Sequence, residues 1–234
     1  EIGSGLVGSE MCIRDSKGSQ FMFSVAATPP WSLWDGKDYK NMSDQDEAKF
    51  RMIEYHKWKF KAKIFSPLAP LTVKRTPVLM TRVEYGFLGS YNKYKKSPFE
   101  TFYMGGDGMS GYSSTYATET IGLRGYENGS IAGNGGYNSY GYAYSRLSME
   151  LRYPFLLEPS STIYGLVFVE AGNAWRDLKD FNPFQLKRSA GVGVRIFLPM
   201  IGLMGIDWAY GFDRPDGYDQ RGGSNFHFII GQEF

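Results

Sequence analysis

The chain has 234 residues, 17% aromatic and 21% charged, and its 26 basic and 24 acidic side chains leave a formal net charge of +2. So even a balance gives no electrostatic case for nucleic-acid binding. Mean hydropathy is -0.34, and no window approaches the roughly 18 consecutive apolar residues of a membrane-spanning helix. The longest candidate, IFLPMIGLMGI at 196–206, is broken by Pro199, Gly202 and Gly205. This excludes a helical membrane protein but not a barrel, whose strands hide their hydrophobicity by alternation. One cysteine, Cys12, excludes an intramolecular disulfide and a cysteine metal cluster, and two histidines, His56 and His227, exclude a His-rich metal site.

Residues 1–18 read as a leader outside the folded unit. GLVGSEMCIRDS (5–16) has neither a two-residue nor a 3.6-residue apolar period. It resembles a translated sequencing-adapter product, an ordinary disordered terminus being the alternative. No secretory signal opens the chain, which would exclude export only if residue 1 were the natural start; we expect that it is not. Residues 19–234 read as one unit of strands and turns, with a long loop at about 92–140.

The first strand is expected at 20–28. HKWKFKAKIF (56–65) is the clearest: Lys57, Lys59, Lys61 and Lys63 alternate with Trp58, Phe60, Ala62 and Ile64, so one face is cationic and the other apolar. The aromatics point away from the lysines and form no common stacking surface with them, which again disfavours a nucleic-acid groove. The lysine face is expected to line a wet interior. Another strand is expected at 77–88.

In the glycine-rich loop, Gly106, Gly108 and Gly111 satisfy G-x-G-x-x-G. A dinucleotide loop needs a helix to follow, and no helical spacing does, so these read as loop glycines. IGLRGYENG (121–129) sets a lone Arg124 among glycines. On a surface that arginine has little to do, whereas inside a protein it would need neutralising.

Alternation then resumes. In 142–153, Tyr144, Arg146, Ser148, Glu150 and Arg152 oppose Ala143, Leu147, Met149, Leu151 and Tyr153. In 163–171, Ile163, Val167, Val169 and Ala171 are apolar and Glu170 lies opposite. In 188–197, Ala190, Val192, Val194 and Ile196 oppose Ser189, Gly191, Gly193 and Arg195. In 203–212, Met204, Ile206, Trp208, Tyr210 and Phe212 oppose Gly205, Asp207, Ala209 and Gly211. The last strand, 225–234, puts Phe226, Phe228, Ile230 and Phe234 on one side.

About eight strands result, with no stretch of helical spacing, no domain boundary and no repeat. Strands of about ten residues match a tilted bilayer crossing, and their polar faces mix Arg, Glu and Asp with Gly, Ser and Ala as a crowded wet lumen would. Tyr91, Tyr153 and Trp175, near strand ends, fit an interfacial girdle. A soluble β-sandwich with its apolar face in a core is the alternative. Asp213, Asp216 and Asp219 lack the ligand density of a calcium loop and read as a hairpin turn. No nucleophile elbow occurs, so no enzyme, metal or cofactor is expected.

The chain ends FHFIIGQEF, and Phe226, Phe228, Gly231 and Phe234 stand where BamA-type barrel assembly factors carry their Phe-x-Phe-x-x-Gly and terminal aromatic. YMGG (103–106) resembles the opening of that family's sixth extracellular loop, and GLRGY its (Val/Leu)-Arg-Gly-(Phe/Tyr) motif. SMELRYPF (148–155) is similar to the strand that follows. FVEAGNAW (168–175) resembles the Phe-x-Asp-x-Gly-x-x-Trp strand, with Glu170 in place of the usual Asp. RSAGVGVRIFLPMIGLMGIDWAYGF (188–212) resembles the penultimate hairpin. The matches follow the family's order over about residues 100–234, and residues 107–119 look like an insertion in the sixth loop.

The resemblance implies an all-β fold: a transmembrane antiparallel β-barrel, of which this chain would be the C-terminal half, about eight strands of about sixteen. It implies an outer-membrane insertase of a Gram-negative bacterium that folds other outer-membrane proteins through a lateral seam. Its partners would be unfolded clients, outer-membrane lipid and, through upstream POTRA domains absent from this chain, lipoprotein subunits. A related pore secreting one partner protein is the alternative. The loop–lumen tether would consist of Arg124, Gly125, Tyr126, Glu150 and Glu170; the alternation independently puts both acids on the polar face. Gly231 would weaken the last strand. Half a barrel leaves an open edge that hydrocarbon does not tolerate, so this chain alone is expected to form no stable pore.

Overall fold

The computed structural model describes residues 17–43, 47–70, 75–108, 117–131, 140–158, 161–198 and 202–230. In chain order the strands are β1 (Gly18–Ala27), β2 (His56–Pro67), β3 (Val78–Gly89), β4 (Thr101–Met104), β5 (Ala117–Ile121), β6 (Ala143–Glu158), β7 (Ser161–Trp175), β8 (Lys187–Leu198), β9 (Gly202–Gly211) and β10 (Gly223–Ile230). Eight of them form one sheet in the order β1-β2-β3-β6-β7-β8-β9-β10, every neighbouring pair antiparallel. The connections alternate in length: 28–55, 90–142, 176–186 and 212–222 at one end, and 68–77, 159–160 and 199–201 at the other. Each strand expected from the sequence is present within a few residues, because alternation is a local property that pairing preserves.

The two faces of this sheet reverse the usual distribution. Val167 is 55% exposed and Phe226 66%, whereas on the other face Glu170 is 3% exposed and Asp207 0%. Met149, Leu151, Val169, Val192, Val194, Ile206 and Trp208 share the exposed side, while Arg146, Ser148, Glu150, Arg152 and Arg195 are buried. A water-soluble protein does not display so continuous an apolar surface over a charged interior. A bilayer-facing sheet around a polar lumen does. No helix among the described residues is long and apolar enough to cross a membrane.

The interior is filled by the long loop. Its β4 and β5 pair in parallel as a separate small sheet, and Phe102, Met104, Ile121, Leu123, Tyr126 and Ile131 pack with Leu88, Tyr144 and Ala174 of the large sheet. The loop touches β2, β6, β7, β9 and β10 by the contacts given below, so the large sheet curls around it. These two strands went unread in the sequence: at four and five residues they are too short for alternation to register. Trp175 also departs from its expected place. It lies 6% exposed, in an edge-to-face contact at 4.7 Å with Phe181 of the β7–β8 connection, and is therefore covered by protein; Tyr153 is exposed as a girdle residue would be.

The lipid-facing assignment makes a quantitative prediction. In the full-length protein, Val167→Arg is expected to lower unfolding stability from a bilayer by about 2–4 kcal/mol, measured by reversible denaturant titration. A change within about 0.5 kcal/mol, the size typical of ordinary surface substitutions, would contradict it.

Candidate functional site

Three contacts aim the loop apex at the sheet. Leu123 N–H donates to Gly106 O at 3.1 Å, Ile131 N–H to Met104 O at 3.1 Å, and Tyr103 Oη–H to Asn128 O at 3.2 Å. The segment between is thereby returned into the interior, where Arg124 is fully buried. Its Nη2 donates to Glu150 Oε1 at 2.5 Å and Glu170 Oε1 at 2.8 Å, and its Nη1 to Asp207 Oδ2 at 2.9 Å. Its backbone N–H donates to Glu170 Oε2 at 2.9 Å, and the guanidinium carbon lies 3.5 Å from the Phe168 ring centroid. One side chain is thus bonded to β6, β7 and β9 at once. Burial alone would pull the Arg124 guanidinium down, but Glu170, Glu150 and Asp207 hold it above its ordinary value.

The acids are held in turn by strand residues. Arg146 Nη2 donates to Glu170 Oε1 at 2.8 Å, and the Ser148 hydroxyl donates to the same oxygen at 3.1 Å. Arg152 donates from Nε and Nη2 to Glu150 Oε2 at 3.0 and 2.8 Å. Arg195 donates from Nη1 and Nη2 to the two Asp207 oxygens at 2.5 and 2.7 Å. Charges removed from water need such saturation, because each unpaired one would cost several kcal/mol. Glu170 uses its full reach: one oxygen serves three side-chain donors and the other serves the Arg124 backbone.

Gly125 has φ 87. A Cβ there would lie 2.9 Å from Gly211 N and Ser189 Cβ and 3.0 Å from the Tyr210 carbonyl carbon. Both the backbone conformation and the close approach to β8 and β9 therefore call for glycine. Tyr126 Oη–H donates to Arg188 O at 2.6 Å and accepts from Asp213 N–H at 3.3 Å. Burial pushes this phenol up to about 12, which keeps its proton in place for donation. Arg188 hydrogen-bonds Asp213 from Nε and Nη2 at 3.0 and 2.9 Å, holding that carboxyl below the usual carboxylate range.

A second attachment lies across the lumen. Lys57 Nζ is 2.9 Å from Glu119 and 3.3 Å from Glu100, Lys59 Nζ is 3.1 Å from Glu119, and Lys61 Nζ is 3.4 Å from Glu84. Lys57 and Lys59 of β2 thus pair with the loop, while Lys61 pairs with its cross-strand neighbour Glu84 on β3. Phe226 and Phe228 point outward and are exposed; Gly231 and Phe234 lie outside the described residues, as do residues 5–16. Asp207 was not among the expected tether residues, although its place on the polar face of β9 beside Arg195's strand was a usable signal. Among the described residues no group of three or more His, Cys, Asp or Glu side chains is arranged to hold a metal.

The Omp85 superfamily domain matches residues 48–234. The chain belongs to the Omp85 superfamily. The crystal structure of BamA from Haemophilus ducreyi lacking POTRA domains 1-3 is similar in fold, with a TM-score of 0.59 at 20% sequence identity. That similarity covers 92% of this chain and 38% of the BamA chain, so this chain spans well under half of its relative's length. Among curated proteins none matches. The eight-stranded sheet is accordingly a partial barrel of the Omp85 type, and Arg124 sits in the loop that fills it.

In the full-length protein, Arg124→Ala is expected to cost about 3–5 kcal/mol, because it removes one positive charge from a buried cluster and leaves Glu150, Glu170 and Asp207 each short of a donor. Arg124→Lys is expected to recover little of this, since one ammonium cannot match the guanidinium fork. Denaturant unfolding and protease sensitivity of the 121–131 loop check both, and a fully stable Arg124→Lys would contradict the geometric account.

Proposed function

We propose that this chain is the C-terminal half of the barrel of a BamA-type assembly factor, which folds and inserts other outer-membrane proteins through a lateral seam. The observation that carries this reading is the buried Arg124 bonded to three strands, which holds a loop inside the lumen of an Omp85-family barrel. In this reading residues 1–18 are a leader and residues 19–234 the partial barrel. Arg124, Gly125, Tyr126, Glu150 and Glu170, together with Asp207, form the loop–lumen tether.

The work needs no covalent chemistry. Strand β10 pairs with β9, and among the described residues its other edge has no partner strand. An edge of this kind templates an incoming strand by backbone hydrogen bonding. The exposed apolar side chains of β6 to β10 face outer-membrane lipid, and Phe226, Phe228, Gly231 and Phe234 are the C-terminal strand signal of the family. Unfolded outer-membrane proteins are the clients, and lipoprotein subunits join through upstream POTRA domains in a Gram-negative cell.

A second reading within the same superfamily is a pore that secretes one partner protein. Full-length protein in proteoliposomes separates the two. Insertion of urea-unfolded barrel clients, measured by protease-resistant folded product, is expected with wild type. It is expected to fall more than about tenfold with Arg124→Ala, in keeping with the several kcal/mol tied up in that cluster. Export of a single partner with unrelated barrels left uninserted would support the pore instead.

A further inference from the structure

Gly125 N–H donates to Nε2 of His227 at 2.9 Å. The imidazole is 6% exposed and belongs to β10. An Nε2 that accepts a hydrogen bond carries no proton, so the ring in this arrangement is the neutral form. The Arg124 bonds hold the loop apex to β6, β7 and β9, and this one extends the attachment to the terminal strand.

We infer that His227 is a positioning residue that hooks the loop apex onto β10, and that protonation of its imidazole releases the hook. Protonated Nε2 becomes a donor facing the Gly125 N–H, another donor, so the bond cannot persist. The charges acting on the ring come from each element around it. Asp207, its cross-strand partner on β9, Glu170 on β7 and Asp107 in the loop attract an imidazolium, and Arg124 repels it. On β8, Arg195 is committed to Asp207. Asp207 and Glu170 are in turn bonded to Arg124, so an imidazolium would also compete for the carboxylates of the tether. The hook is therefore intact where the imidazole is neutral and lost once falling pH protonates it.

This deepens the reading of β10 as a strand that opens toward a client, and it is tested without any client, so either can fail alone. Hydrogen exchange is measured by mass spectrometry on full-length protein in nanodiscs at pH 8 and pH 5, corrected for intrinsic rates. The peptides followed cover 121–131 and 223–230. Wild type is expected to lose about tenfold protection in both at pH 5. His227→Gln, whose amide oxygen accepts but does not titrate, is expected to keep the same protection at both values, and His227→Ala to be weakly protected at both. Equal pH dependence in wild type and His227→Gln, or full protection in His227→Ala at pH 8, would overturn the inference. Should the variants fail to fold, the imidazole nitrogen resonances of wild type decide: an unprotonated Nε2 at pH 8 that gains its proton as the loop deprotects supports the hook, and a protonated Nε2 at pH 8 refutes it.

Discussion

A single guanidinium bonded to carboxylates from three strands is the constraint on which the interior of this molecule depends. Arg124 reaches Glu150 on β6, Glu170 on β7 and Asp207 on β9. Buried ion pairs contribute little net stability over well-packed apolar groups, since desolvation offsets most of the Coulomb attraction. What the cluster supplies is position. The planar fork accepts few geometries, so the loop has one seat, and Gly125 and Tyr126 can then lie against β8 and β9 without a choice of register.

The charged interior is tolerable because the large sheet is turned inside out. Its apolar side chains meet lipid and cannot also build a core, so the space within must be closed by something other than a hydrophobic layer. The loop does this with two kinds of contact. Phe102, Met104, Leu123 and Ile131 make a small apolar cluster against Leu88 and Tyr144, and ion pairs hold its flanks. Glu119 on the Lys57–Lys59 ladder fixes one side and Arg124 the other. Glu100, whose φ of 65 is unusual for a residue with a side chain, sits at Lys57 as part of the same attachment.

Such a plug suits a protein that must keep a lumen closed while one wall changes. Charge-assisted hydrogen bonds are directional and hold such a plug in one orientation, whereas apolar contacts are non-directional. A loop tied to β6, β7, β9 and, through His227, β10 is bonded directly to the last described strand of the sheet. That coupling follows from topology: β10 is attached to the rest of the sheet through β9, whose Asp207 is itself part of the tether.

Much of the fold was legible in the residues. Alternation of Lys57 to Ile64, Tyr144 to Tyr153 and Val192 to Arg195 is a local record of which side chains face which way, and it survives pairing unchanged. The polar parity of Glu150 and Glu170 and the glycine beside Arg124 pointed to an interior loop for the same reason. The sequence alone could not say that Asp207, 83 residues away from Arg124, completes the cluster, or that His227 holds Gly125 from 102 residues away. Nor could it show that β4 and β5 form, or that Trp175 is covered by Phe181. Those outcomes depend on how far the sheet curls and where the loop re-enters it, which are set by long-range packing and not by any period along the chain.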